Sequence, residues 1–324
     1  MIHAPVLSRR ERVSPMCYKR LFALIAAFLL LACTAMAEES YVINRTNNLT
    51  EEYRFAEDAP LLEVVFPRVY SSDCAIVRFG DEVMMIDAST KNVVMRRRIE
   101  SAVKSMGIDA IDIAYNSHPH DDHIDGFQFV DAYAPIGKLL IAFPEDYDGR
   151  MKETVQYMND HNIPIEHVQD GDVLTMGPHD EVTTTVIQRW GTKRWDTNDQ
   201  SAMLLIRYGD RTILFCGDVE NRAQQSYADD PPACGLDADI IKYPHHGQVK
   251  LLDPFLEAIS PELALMNGGT ANMKDGMAYM EKKQIPYLIG HHGLTRMRTD
   301  GQIWVVDYLY EADADRSTIQ PDYQ

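Results

Sequence analysis

The sequence predicts an α/β domain in which two β-sheets pack face to face with helices outside. Three observations lead there. A β-hairpin followed by helical segments occurs twice, around Gly80-Asp81 and again around Gly209-Asp210. No internal repeat and no linker rich in proline or glycine splits the chain. The 324 residues are 45% hydrophobic, 25% charged and 9% aromatic, a globular balance sufficient for one large domain or two small ones. Ordinary glycine and proline usage (18 and 16 residues) excludes collagen-like and low-complexity chains.

The elements follow in order. Residues 38–60 are polar and read as an irregular arm. Leu62 to Phe66 reads as a strand, and Cys74 to Phe79 and Val83 to Ile86 as two more, joined by Gly80-Asp81, a strong hairpin turn pair. Asn92 to Met106 is predicted helical: Val94, Ile99, Val103 and Met106 recur at near-helical spacing and Gly107 stops the run. Ile111 to Tyr115 is a short strand. Gly149 to His161 looks helical, and Val173–Leu174 and Val182–Gln188 look like strands. Met203 to Tyr208 and Thr212 to Cys216 form the second hairpin. Asp239 to Tyr243 is a strand, Asp253 to Ile259 a helix, Leu263 to Met266 a strand and Lys274 to Lys283 a helix. Ile303 to Tyr308 is the last strand before a polar tail at 311–324.

The N-terminus reads as an address. Leu21 to Cys33 is an unbroken apolar run of 13 residues, preceded by Lys19 and Arg20 and followed by Thr34-Ala35-Met36-Ala37. That pattern describes a secretory signal peptide, residues 1–37, cut after Ala37. A helix of that length rises only about 20 Å against a hydrocarbon core of roughly 30 Å, which argues against a spanning anchor. The expected protein is therefore secreted or held at the cell surface, with no transmembrane span in the mature chain. Leu30-Leu31-Ala32-Cys33 resembles a bacterial lipoprotein box, and lipidation of Cys33 is the alternative to release. Met16 is an alternative start.

Charge narrows the partners. Lys and Arg total 31 against 49 Asp and Glu, a net −18. Without the leader the balance is 26 basic against 48 acidic residues. Nucleic-acid-binding surfaces are usually basic, so no stable nucleic-acid complex is expected, although a local metal site overrides that objection for a substrate. Three cysteines remain beyond the leader: Cys74, Cys216 and Cys234. An odd number is no disulfide scaffold, and Cys74 and Cys216, inside apolar runs, read as small buried hydrophobes.

One segment resists a structural explanation. His118-Pro119-His120-Asp121-Asp122-His123 places three imidazoles and two carboxylates within six residues. Such a run makes a poor core and an unusual surface, but imidazole and carboxylate together suit a divalent metal. His118 and His120, two apart after a strand, can project to one side and grip one ion. Asp122 and His123 follow a bend and can address a second. The isolated His161, His167 and His179 read as surface residues.

The pattern His118-x-His120-x-Asp122-His123, after a hairpin closing on Ile86-Asp87, resembles the signature of metallo-β-lactamase-fold hydrolases. Leu214-Phe215-Cys216-Gly217-Asp218-Val219-Glu220 looks like the strand-end Gly-Asp whose carboxylate bridges two metals in that family. Asn198-Asp199-Gln200-Ser201 leading into Leu204 to Gly209, then Tyr243-Pro244-His245-His246-Gly247 and Arg298 to Gln302, are similar to the branch containing the metallo-hydrolase domain of ComEC-type DNA-uptake proteins. The resemblance covers about residues 62–308. It implies a four-layer αββα sandwich, two packed mixed sheets with helices outside, across a domain at 61–310.

The same resemblance implies two divalent ions, zinc or, where oxygen ligands dominate, manganese. His118 and His120 would hold the first, Asp122 and His123 the second, and Asp218 would bridge them. One histidine of His245-His246 would complete the second site. His246 is favoured, with His245 free to contact substrate; the reverse order is the alternative, and His291-His292 is another supplier. Where many relatives carry a third histidine for the first metal, this chain has Asn198 to Ser201, so a weaker or water-completed first site is expected.

Such a pair of ions lowers the pKa of a water from 15.7 towards about 7 and stabilises charge on the attacked group, which is hydrolysis chemistry. His245 or Asp122 is the candidate for proton delivery. The branch favours a phosphodiester; a carbonyl hydrolase (lactonase, thioesterase or β-lactamase) and a non-catalytic metal-binding surface protein are the alternatives. Arg96-Arg97-Arg98 reads as a solvated helix face. Trp190 and Trp195 flank a basic loop that is either a cleft wall or plain surface. Tyr243 and Tyr279 read as packing residues, and Gly268-Gly269 as a strand-ending turn.

Overall fold

A computed structural model describes residues 40–45, 54–191 and 195–308. The leader with Cys33, residues 192–194 and the tail at 311–324 lie outside the described residues. The first half of the chain runs β1 (Tyr41–Arg45), β2 (Leu62–Phe66), β3 (Cys74–Phe79), β4 (Glu82–Ala88), α1 (Val93–Ser105), β5 (Ile111–Asn116), α2 (Asp121–Ile124), α3 (Phe127–Asp131), β6 (Ile136–Ile141), α4 (Gly149–Asp160) and β7 (Ile165–His167). The second runs β8 (Val173–Met176), β9 (Val182–Ile187), β10 (Met203–Tyr208), β11 (Arg211–Phe215), α5 (Asn221–Asp229), β12 (Ile240–Lys242), α6 (Asp253–Ile259), β13 (Leu263–Met266), α7 (Lys274–Lys283), β14 (Tyr287–Ile289), β15 (Thr295–Thr299) and β16 (Trp304–Tyr308).

Two mixed sheets result. One has nine strands in the order β1-β16-β15-β2-β3-β4-β5-β6-β7, the other seven in the order β14-β13-β12-β11-β10-β9-β8. Each combines an antiparallel meander with a parallel run entered through helical crossovers: β4 to β7 in one sheet, β11 to β14 in the other. Three apolar layers hold the stack. Val64, Val77, Leu204 and Ile213 meet between the sheets. Ile76, Met85 and Leu139 pack beneath Ile99, Phe127 and Met151 of the helices on one outer face. Leu214, Ile241 and Ala264 pack beneath Ala223, Phe255 and Met280 on the other. Strands buried on both faces, such as β2 and β13, are accordingly near-continuous apolar runs.

Local chemistry explains the boundaries. Asn92 caps α1, its side chain accepting from the backbone N–H of Val94 and Met95. Gly80 turns the first hairpin at φ +60. The arm expected to be irregular contains a strand instead: β1 runs parallel to β16, Val42 opposite Val305. Five residues at a sheet edge are ordered by a partner some 260 positions away, which no local signal announces.

Candidate metal centre

The site lies where strands of both sheets end. Asp73 immediately precedes β3, Asp87 is near the end of β4, and His118 to His123 follow β5; Asp218 follows β11, His245 and His246 follow β12, and Asn267 follows β13. Four buried side chains, Asp73, His123, Asp218 and His246, bring donor atoms within 4.8 Å of one another, a cluster able to bind a metal.

The turn that presents the histidine pair is strained. His245 and His246 both adopt left-handed backbone, φ 48 and 57, which costs a non-glycine residue about 1 kcal/mol or more. The turn is held by the Tyr243 N–H on Leu265, the His245 N–H on the Gly217 carbonyl, and the Gly268 N–H on the His246 carbonyl. The 118–123 loop is organised by Asp87. Its carboxylate accepts from the Ser117 N–H (2.8 Å) and hydroxyl (2.7 Å) and from the Asn116 amide (3.1 Å), and it lies 2.7 Å from His123 Nδ1.

Two sets of atoms converge on Asp218. In one, His123 Nε2 lies 3.3 Å from Asp218 Oδ1, and His246 Nε2 lies 3.5 Å from Asp218 Oδ2 and 3.0 Å from Asp122 Oδ2. In the other, His118 Nε2 lies 3.8 Å from Asp218 Oδ2 and 3.2 Å from His120 Nδ1, and His245 Nε2 lies 3.9 Å from Asp218 Oδ2. Donors bonded to one tetrahedral zinc at about 2.0–2.1 Å are separated by roughly 3.3–3.4 Å, so the set around His123 and His246 has the spacing of ligands around an ion, and in the other set the His118 and His120 pair does. His123 Nε2 and Asp218 Oδ1 are moreover buried without a hydrogen-bond partner. Orphaned buried polar atoms are costly, and a cation between them would satisfy both. The residues present therefore fit a metal.

Carboxylates behind the imidazoles set their orientation. Asp87 on Nδ1 of His123 and Asp73 on Nδ1 of His246 (2.9 Å) leave both Nε2 atoms facing Asp218. Metal-binding histidines commonly present one nitrogen while a carboxylate holds the other. Asp73, one of the four clustered side chains, thus stands behind the His246 imidazole. Lys242, buried in β12, pairs with it, and the Asn267 amide donates to it at 2.6 Å. Sequence reasoning missed Asp73, Lys242 and Asn267 as parts of the site. A lysine inside the apolar run Ile240-Ile241-Lys242 was the available signal, because a buried ammonium requires a buried acid.

The electrostatics match. Burial opposes charge on His246, but Asp218 and Asp73 outweigh it and carry its pKa up to about 9. His123 is likewise penalised by burial and raised well above the ordinary range by Asp218 and Asp87. Burial, reinforced by His123, keeps His118 well below it and hence a neutral donor. Asp122 is lowered to about 2, burial being overcome chiefly by its hydrogen bond with His246. A cluster that draws protons this strongly draws divalent cations for the same reason.

Other expected residues resolve as follows. His291 is turned away from the centre, Nδ1 on the Gly268 carbonyl and Nε2 3.0 Å from Thr270 Oγ1, so it does not supply the second set. Asn198, in place of a mid-chain histidine, donates to Glu220 at 3.2 Å. His161, His167 and His179 are exposed. Trp190 is half exposed, its ring 5.1 Å from that of Phe143. Cys74 and Cys216 are buried and free, and Tyr243 and Tyr279 are packed in the outer core.

A two-sheet sandwich with an imidazole and carboxylate centre at its edge defines a metal-binding α/β class. A family profile described as the metallo-beta-lactamase superfamily matches residues 67–262, more than half of the chain, and the chain belongs to that superfamily. It is 24% identical over 227 residues to competence protein ComA of Neisseria gonorrhoeae, in agreement with the ComEC-type branch. That match covers 69% of this chain but 29% of ComA, so the chain spans less than a third of that relative's length. Among solved structures, a variant of the β-hydroxylase CmlA superposes with TM-score 0.51 at 14% identity, covering 76% of this chain and 55% of that one. A diphosphatase from the PhnP family gives TM-score 0.44 at 12% identity, covering 74% and 98%.

Proposed function

We propose that this chain is a secreted metal-dependent hydrolase that works with a pair of divalent ions, zinc or manganese, on a phosphodiester. The observation that carries the metal reading is the buried pair His123 Nε2 and Asp218 Oδ1, 3.3 Å apart and without a hydrogen-bond partner, beside His246, the Nδ1 atoms of both imidazoles being held by carboxylates. His118 and His120 would hold the first ion, Asp122, His123 and His246 the second, and Asp218 both. When bound, such ions supply a water acidic enough to give hydroxide near neutral pH and positive potential for the charge that builds on the attacked group.

The chain's own residues do the rest. Asp87 and Asp73 keep His123 and His246 in the tautomer that presents Nε2. Asp122 remains ionised at any working pH. In a protein of net charge −18, potential for a phosphate has to be local, and the centre is where it would arise. Support for a phosphodiester over a carbonyl substrate comes from the resemblance of Asn198–Ser201 and Tyr243–Gly247 to the DNA-uptake branch, with which the similarity to competence protein ComA agrees. Secretion rests on the 13-residue apolar leader core.

The test is metal analysis with a substrate panel. Protein purified without chelators should carry close to two divalent ions per chain and hydrolyse bis-p-nitrophenyl phosphate faster than nitrocefin. No bound metal would favour a non-catalytic surface protein, and the opposite substrate ranking a carbonyl hydrolase.

A further inference from the structure

The first donor set has an unfilled role. His118, His120 and the shared Asp218 make three donors, and the segment where a further histidine was expected carries Asn198. His245 is placed to supply it. Its Nε2 lies 3.9 Å from Asp218 Oδ2, an atom that His118 Nε2 approaches at 3.8 Å and His246 Nε2 at 3.5 Å. Its other nitrogen, Nδ1, lies 2.9 Å from Glu220 Oε1. Glu220 in turn accepts from the Asn198 amide at 3.2 Å. Asp87 on His123 and Asp73 on His246 set the same pattern through hydrogen bonds, a carboxylate beside one ring nitrogen and the other nitrogen towards Asp218; at His245 the carboxylate stands at ion-pair distance. His245 is also locked by its left-handed backbone and its N–H on the Gly217 carbonyl, so its ring is aimed by the fold.

We propose that His245 is a ligand of the first ion, replacing the mid-chain histidine, and that Glu220, steadied by Asn198, is the positioning residue that holds it there. The two neighbouring histidines then divide between the two ions, His245 to the first and His246 to the second, with Asp218 between them. His245 is accordingly neither a substrate contact nor a proton donor. Asn198, in the position of the missing ligand, acts through Glu220.

The inference rests on the two-ion reading, and the experiment separates their failures. Zinc is titrated calorimetrically into chelator-treated protein, with bound metal counted by mass spectrometry, for wild type, His245→Asn and Glu220→Ala. Asparagine tolerates left-handed backbone, so the first variant keeps the turn; circular dichroism checks both folds. Wild type should bind two ions, and His245→Asn one tightly, with the other lost or weakened at least about 100-fold. Glu220→Ala should bind two, the weaker loosened about 10- to 100-fold, as removal of the group behind a ligating histidine does elsewhere. If His245→Asn binds two ions with unchanged affinity, or loses both together, the assignment of His245 is wrong while the two-ion reading stands on the wild type. If folded wild type binds none, the two-ion reading itself has failed.

Discussion

His246 shows at the scale of one residue what the site demands. Between Asp218 and Asp73 it holds its proton to about pH 9, although burial works against the charge. An ordinary imidazole releases it near 6.5. A group with a raised folded pKa contributes stability that is full below the unfolded value and lost as pH climbs through the folded one. Metal-free protein should therefore lose stability between pH 6.5 and 9, by about 3 kcal/mol from His246, and His123 acts in the same direction. Zinc-saturated protein should escape the loss, because the ion takes the proton's place. Urea midpoints across that range are the measurement, and a flat profile for the metal-free protein would contradict the geometry. His118 and His120 were legible as candidate donors from spacing alone. Asp73 was not, since an aspartate in Ser71-Ser72-Asp73-Cys74 has no partner within reach along the chain.

Elements matter at their ends. The 118–123 loop can approach the end of β4 because Gly126 lies against it. A Cβ there would sit 1.7 Å from the Ala88 carbonyl oxygen and 2.7 Å from its carbon. Neither backbone atom can move without displacing Asp87 and the loop it organises. Gly126→Ala should cost about 2–3 kcal/mol or more in chemical denaturation, and should weaken zinc binding. Gly80→Ala, in open space at φ +60, should cost only about 1 kcal/mol and leave zinc binding intact. Equal stability of the two variants would mean the close approach is misjudged. Several elements were readable in order: Leu62–Phe66, Asp253–Ile259 and Lys274–Lys283 are found at the bounds their patterns predict. Elements that escaped include the buried strand Ile136–Ile141 and the polar Thr295–Thr299. Thr295–Thr299 reads Thr-Arg-Met-Arg-Thr, and it is a strand because Thr295, Met297 and Thr299 are buried between β2 and β16. Among the described residues, no helix is long and apolar enough to cross a membrane.

In the whole molecule, the centre fastens one sheet to the other. Asp122 and His123 come from the nine-strand sheet, Asp218 and His246 from the seven-strand sheet. Ions bound between them would bind the folded chain and not the unfolded one, so their removal should act on global stability. At free metal a hundredfold above Kd the linkage is about 2.7 kcal/mol per site, and chelation should lower Tm by about 5–10 °C, reversibly on adding zinc back. An unchanged Tm would mean that the donors are not joined by an ion.

The sequence by itself determined which residues are the candidate donors and in what order most of the elements come. Both are local properties: hydrophobic period, turn pairs and a run of ligand-type side chains within six positions. Tertiary structure alone decided that Asp73 and Lys242 stand behind His246, that His291 faces elsewhere, and that Glu220 aims His245 at Asp218. Those outcomes depend on distances between segments separated by tens to hundreds of residues. Such distances are set only when the two sheets pack and bring their strand ends to a common edge.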